Sequence, residues 1–337
     1  MSLKWGLIGC GWVARDYVVP ALLAAPSAQL VALCDPNLEA LSAIEAPGAT
    51  RFSDANVFWR ADFDAVYIAT PNHLHGDLTI AAARAKKHVW CEKPMALSLE
   101  DAQSMTSACE AASVTYATAF DQRFHDAHQK LHALIAAGEL GQISAIRIHY
   151  ACWTPPDWVP PTQSGHDNWR VDPKRAGGGA FIDLAPHGLD LAQFLLGEEL
   201  TEVRCFFQNA VFDYGVDDGA ALIGRFPSGA LLTHQVAYNC PDAFPRRTLE
   251  VVGTRAMAIL RNTMGQTPGG NFQLIDAATG SAKVIELDAI SPFQHGVEAF
   301  SRAILNRESF PFPPSRDLHT MSLLDQARRQ NEKISHR

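Results

Sequence analysis

The chain has 337 residues, 28 Lys and Arg against 36 Asp and Glu, a formal charge of −8, and an apolar fraction of 47%. That length suggests about two domains, and that composition belongs to a chain burying large cores, not to a disordered one. An acidic balance without a run of five or six like charges excludes a nucleic-acid binder working through a basic surface.

The most apolar stretch, 18–34, is broken by Pro20, Pro26, Ser27 and Gln29, whereas a spanning helix needs about 20 mainly apolar residues. No membrane partner is expected. The apolar run 5–14 behind Lys4 holds three glycines and leads directly into Arg15 and Asp16, which does not suit a secretory signal. Seven cysteines, an odd number without a CxxC pair, point to free thiols in a reducing compartment, the cytoplasm by default. Neither they nor the thirteen histidines show metal spacing, so no metal is expected.

In chain order, strands are predicted at 3–9, 29–34, 63–69, 88–91 and 115–119, with helices at 17–25, 78–87 and 99–112. Apolar strands separated by helices indicate a doubly wound parallel sheet covered on both faces. A helix over 127–137 and a strand over 143–152 follow, then a proline-rich loop and a helix around 180–196. Strands are expected at 203–211, 219–226, 230–238, 247–253, 256–261, 272–276 and 282–287, with turn signals suggesting antiparallel hairpins. Helices near 296–305 and 320–334 end the chain. The expected fold is α/β: a Rossmann domain over 1–120, then an α+β domain over 121–337 with a large open, mainly antiparallel sheet. The last helix is expected to pack back on the first domain.

The first predicted strand runs into Gly9-Cys10-Gly11-Trp12-Val13-Ala14, the dinucleotide fingerprint with alanine at its third small position. Gly9 permits the tight turn, Gly11 lets backbone approach a pyrophosphate, and Ala14 allows close helix packing. The anion would sit on unpaired N–H groups at the helix N-terminus. Asp35 closes the second strand at the spacing expected of a carboxylate on the adenosine ribose, and it would repel the extra phosphate of NADP. NAD is therefore expected, NADP not being excluded, with Arg51 and Arg60 as the residues that could reverse the choice.

Three further segments carry chemistry. Thr70-Pro71-Asn72 with His75 follows one strand and Glu92-Lys93-Pro94 the next, both at carboxyl ends where open α/β sheets bind ligands. Gly177-Gly178-Gly179 precedes a segment in which Asp183, His187 and Asp190 share one helix face. With these motifs in this order over nearly its whole length, the chain resembles the Gfo/Idh/MocA family of nucleotide-dependent oxidoreductases, typified by glucose-fructose oxidoreductase and inositol dehydrogenase. The resemblance implies that Lys93, Asp183 and His187 are catalytic and that Gly9, Cys10, Gly11, Trp12, Val13, Asp35, Thr70, Pro71, Asn72, His75, Glu92 and Lys93 bind the cofactor. It also implies a sugar, cyclitol or related polyol as substrate and a homodimer or homotetramer.

Those roles are chemically reasonable. Oxidising a secondary alcohol needs a base for the hydroxyl proton, which His187 can be, and a cation on the same oxygen, which Lys93 can be. Asp183 would orient substrate or Lys93, and Asp190 would hold the imidazole tautomer. The sequence departs from the family pattern at Pro186, where a helix would start late or bend, and at Asp121, where asparagine is common. Arg123 is expected to pair internally. The loop 153–175, with Trp158, His166, Asp167, Asn168, Trp169 and Arg170, could meet a sugar through Trp169 and Arg170 or simply anchor itself. Open alternatives are an NADP-dependent dehydrogenase of a dihydrodiol or other cyclic alcohol, and a non-catalytic dinucleotide-binding regulator; a methyltransferase has no support in the Glu92-Lys93-Pro94 segment.

Overall fold

Strands apolar on both faces need helices on both sides, and the computed structural model, which describes residues 1–160 and 168–335 with only the backbone over 331–335, shows how this is met. His166 and Asp167 lie outside the described residues. The chain divides into two units: the first holds Met1–Ala119 and Phe293–Leu318, and the second holds Phe120–Trp158, 168–292 and the end of the chain from His319.

In the first unit β1 (Leu3–Ile8), β2 (Ala28–Cys34), β3 (Thr50–Phe52), β4 (Ala65–Ile68), β5 (His88–Cys91) and β6 (Tyr116–Thr118) form a parallel sheet. Their order is β3-β2-β1-β4-β5-β6, so the sheet reverses direction of growth between β1 and β4, the place where such folds bind nucleotides. The first helix begins at residue 12, not 17, because Gly11 already ends the turn. It has one wide turn, Ala14–Val18, in which the Val19 N–H donates to the Ala14 carbonyl; Pro20 just beyond has no N–H for a regular ladder. The strand Thr50–Phe52 and the short helices Leu38–Ser42 and Ala55–Phe58 are too brief to show a periodicity. The helix Pro292–Asn306 belongs to this unit: Phe300 packs on Trp5 and Trp90 with ring centroids 5.6 and 5.0 Å apart, and Trp5 donates to the Ser301 hydroxyl.

In the second unit β7 (Ile143–Ala151), β8 (Glu202–Gln208), β9 (Gly219–Arg225), β10 (Leu231–Ala237), β11 (Arg247–Gly253), β12 (Ala256–Arg261), β13 (Asn271–Asp276) and β14 (Ala282–Val284) form one open sheet. The order is β14-β13-β12-β11-β7-β10-β9-β8, antiparallel throughout except for the parallel pair β7 and β10. Consecutive strands are hairpins as expected, save that β7 inserts between β10 and β11. β8 ends at Gln208 rather than 211 because the buried Asp218 carboxylate accepts from the N–H groups of Ala210, Val211 and Phe212, bending the chain away.

The helix Ala180–Leu196 covers one face of this sheet, and only Asp183 and Leu196 in it escape burial. A helix apolar all round belongs in a core. Gly188 lets the His234 ring of β10 lie against the helix where a Cβ would collide with it. Of the two outcomes expected at Pro186, a late start or a bend, the late start does not occur: the helix begins at Ala180 and carries the proline within it, leaving the Ile182 carbonyl without an amide donor at residue 186. No helix among the described residues is long and apolar enough to cross a membrane.

Candidate active site

In the first unit the glycine turn is held by backbone. Gly9 has φ +91°, and a Cβ there would come within 2.6 Å of the Ala69 carbonyl oxygen, so no side chain fits. Gly11 has open space, with nothing within 4 Å of where its Cβ would be, which is what a closely approaching pyrophosphate requires. The Asp35 carboxylate accepts from the Cys10 N–H at 2.7 Å and the Asn37 N–H at 2.8 Å. A carboxylate has about four acceptor sites, so it braces the turn and keeps capacity for ribose hydroxyls. Burial and the nearby Asp35 push the Cys10 thiol up to about 12, so it stays neutral. Arg51 donates to the Leu41 and Ile44 carbonyls, closing the short helix before it instead of reaching for a phosphate.

The loops after β4 and β5 are joined by His75. Its Nδ1 lies 2.8 Å from the Pro94 carbonyl oxygen and its Nε2 3.0 Å from that of Thr70, with none of the residue exposed. Burial pushes its pKa down, against the two carbonyls that favour charge. This departs from the reading of His75 as a cofactor ligand: the ring is enclosed between the two loops, and in its neutral form it donates to one of the two carbonyls and packs against the other. Thr70 Oγ1 is buried without a hydrogen-bond partner and can serve a bound group, and Asn72 is almost fully enclosed beside it. Glu92 accepts from the Tyr67 hydroxyl at 2.8 Å and from the Lys93 N–H at 3.2 Å. It shapes the loop that presents the half-buried Lys93. Trp12 packs edge-on against Tyr17. Together the open space at Gly11, the unspent capacity of Asp35 and the orphan Thr70 hydroxyl fit a dinucleotide.

In the second unit the three glycines have separate structural causes. Gly177 is left-handed at φ +83°, ending the helix Pro173–Ala176; a Cβ on Gly178 would strike Ile182, and one on Gly179 the Asp217 carbonyl oxygen. Asp217 then caps the long helix from outside, accepting from the Gly179 N–H at 2.9 Å and the Phe181 N–H at 2.7 Å. Burial raises its pKa although these bonds oppose the rise. Asp183 follows in the first turn, partly open, and Tyr238 donates its hydroxyl to Asp183 Oδ2 at 2.8 Å. Burial, then the Asp183 charge, hold that phenol well above its ordinary range, so it remains the donor.

One turn on, the buried His187 ring stands edge-on to Tyr150, centroids 5.4 Å apart, and to Phe120 at 6.4 Å. Asp121 Oδ1 lies 3.4 Å from His187 Nδ1, with both side chains 6% exposed. The Asp190 carboxylate takes the Arg123 guanidinium in a buried two-pronged ion pair at 2.5–3.0 Å, which is the internal partner expected of Arg123. His128 fixes the same segment from below, with Nδ1 on the Gln122 carbonyl and Nε2 on the Thr263 hydroxyl. Trp169 and Arg170 are brought together with Trp158: the Arg170 guanidinium lies 4.8 and 5.1 Å from the two indoles, so these rings are partly spent on an arginine. Among the described residues no group of three or more His, Cys, Asp or Glu could hold a metal ion.

Residues 3–120 match the model of an oxidoreductase family with an NAD-binding Rossmann fold, and residues 128–259 match the GFO/IDH/MocA C-terminal domain. The chain belongs to the Gfo/Idh/MocA oxidoreductase family. It is 33% identical to a 1,5-anhydro-D-fructose reductase of Ensifer adhaerens over 305 residues, 89% of this chain and 88% of that one. It is 32% identical to a myo-inositol 2-dehydrogenase of Thermotoga maritima over 208 residues, 60% and 58% of the two chains. An aldose-aldose oxidoreductase of Caulobacter crescentus, solved with glycerol, shares the fold at a TM-score of 0.85 and 24% identity, covering 99% of this chain and 98% of that one. The protein is thus an NAD-binding oxidoreductase. In this Gfo/Idh/MocA chain the residues sequence reasoning missed are Asp217, Tyr150 and Tyr238, and Asp121 as a neighbour of His187. Only Asp217 had a local signal, the Val216-Asp217-Asp218-Gly219 run ahead of β9.

Proposed function

We propose that the protein oxidises a secondary alcohol of a sugar, cyclitol or related polyol, or reduces the matching carbonyl, using NAD(H). The observation that carries this reading is the pair Asp183 and His187: a carboxylate oriented by Tyr238 one turn before an imidazole beside Asp121, on a helix otherwise closed to solvent. NAD⁺, when bound, accepts the hydride from the carbinol carbon. His187 takes the hydroxyl proton, and the Asp121 carboxylate favours the imidazolium that results. Lys93 hydrogen-bonds the reacting oxygen and steadies its negative charge. Asp183 orients the neighbouring hydroxyl. Gly9, Cys10, Gly11, Trp12 and Val13 cradle the pyrophosphate, Asp35 the ribose, and the loops at Thr70, Pro71 and Asn72 and at Glu92 the remainder.

The proposed assembly is a homodimer or homotetramer through the open face of the second sheet, where Phe206, Ile223 and Leu231 are 67, 56 and 44% exposed on neighbouring strands. Exposed large apolar side chains on three adjacent strands, set among Arg204, Arg225 and Thr233 of the same face, favour an interface there. Seven unpaired thiols, five of them buried, support a cytoplasmic setting. A panel of cyclic and open-chain polyols with NAD⁺ and with NADP⁺, followed by nicotinamide absorbance, tests the reading. Reduction of NAD⁺ in preference to NADP⁺ is expected. Binding of NADH without turnover of any member would replace it with a dinucleotide-binding regulator.

A further inference from the structure

Arginines of the second unit mostly have visible employment. Arg123 pairs with Asp190, Arg147 with Glu250, and Arg246 with Asp242. Arg247 differs. It is half-buried at the start of β11, on the face that carries the buried Leu249 and Val251, directly opposite Tyr150 of β7. Its Nε is buried with no hydrogen-bond partner. The guanidinium stands over the Tyr150 ring, 5.9 Å from its centroid, and the same ring meets His187 at 5.4 Å. Its end lies against Gly265, where a Cβ would collide with Nη1. Cys152 follows the end of β7; burial chiefly raises its pKa, with smaller opposing effects from the charges of Asp183 on one side and Arg247 and Arg170 on the other. An Nε–H buried without a partner is costly, and the planar fork of a guanidinium matches carboxylate or phosphate oxygens.

We propose that Arg247 is a specificity residue that binds an anionic oxygen group of the substrate, so that the preferred polyol is an acid or a phosphate ester: a uronic or aldonic acid, or a sugar phosphate. Tyr150 forms the wall between this group and His187, and the substrate lies across it with its anion on Arg247 and its reacting hydroxyl at the imidazole. This rests on the polyol reading of the Asp183 and His187 site. Neutral sugars lack the partner and leave the guanidinium unpaired, which weakens their binding rather than the chemical step.

The test compares a hexose, its hexuronate, its aldonate and its 6-phosphate with NAD⁺, in the parent and in Arg247→Met and Arg247→Lys, each first titrated with NADH to show an intact cofactor site. The parent should favour at least one anionic member over the neutral hexose by about 10-fold or more. Arg247→Met should erase that preference by about 10- to 100-fold, chiefly through KM, and Arg247→Lys should restore part of it; which anionic member responds separates carboxylate from phosphate. A parent without anionic preference, or a Met variant that loses neutral and anionic turnover in equal proportion, overturns the proposal while leaving the polyol reading intact. No turnover of any member by a parent that binds NADH removes the polyol reading, and this inference with it.

Discussion

The two units prepare their functional groups by opposite means. In the first, the parts proposed to meet the dinucleotide are backbone and loops a few residues long, set by Gly9, braced by Asp35 and packed on the buried His75. In the second, Asp183 and His187 are set by side chains from distant segments: Tyr238, Tyr150, Asp121 and the Asp217 cap. Damage to the first should therefore change cofactor affinity, and damage to the second should change turnover while cofactor affinity stands.

The largest effect expected is in the second unit. His187→Asn should lower kcat by about 10²- to 10⁴-fold with NADH affinity within a factor of two or so, measured by steady-state rates beside fluorescence titration; a comparable loss of NADH affinity would erase the contrast. In the first unit, Gly9→Ala forces a left-handed residue against the Ala69 carbonyl. It should weaken NADH binding by about 10-fold or more, with kcat at saturating cofactor much less affected. Asp217→Ala leaves two buried amide donors of the helix N-terminus unmet, which costs about 1–3 kcal/mol. Urea unfolding should show the loss, and turnover should fall too because Asp183 lies in that first turn.

Smaller effects sharpen the same contrast. Tyr238→Phe removes a donor from Asp183 Oδ2, and a kcat/KM loss of about 3- to 10-fold follows from a hydrogen bond worth about 1 kcal/mol. Protonation tests the packing behind these residues. Burial lowers His128 to about 3 and His234 to about 4, both in the second unit. Such groups bind protons in the unfolded chain first, so their stabilising contribution is present above the unfolded value of about 6.5 and is lost as pH falls through the window down to about 3–4. Each contributes a slope of up to about 1.4 kcal/mol per pH unit there, and denaturant midpoints taken from pH 7 to 4 should show a shallower slope in His128→Asn.

Legibility in the sequence divides along the same line. The glycine turn, Asp35 and the loops at Thr70 and Glu92 could be read because each acts within a few residues of a strand end, where spacing along the chain is spacing in space. The helix Ala180–Leu196 could be read from its apolar character, but the partners of its polar residues could not. Asp190 shares a helix face with His187, and because a helix buried all round meets neighbours on every side, Arg123 reaches it from 67 residues away, which spacing along the helix does not announce. Tyr150 and Arg247 become opposite partners only because β7 inserts beside β11. Turn residues announce hairpins between consecutive strands and are silent about a strand inserted from elsewhere. His75 shows the converse: a motif position adjacent to a cofactor loop need not face the cofactor, since it is wholly buried.

The most direct test of the account is the separation of cofactor binding from chemistry at Lys93, the residue through which the first unit is proposed to act on the reacting oxygen. Lys93→Met should be titrated with NADH and then mixed with saturating NAD⁺ and the best substrate of the panel in a single-turnover experiment. The account predicts NADH affinity close to that of the parent and a hydride-transfer rate lowered by about 10²-fold or more. A variant that binds NADH normally and turns over at the parent's rate would contradict it.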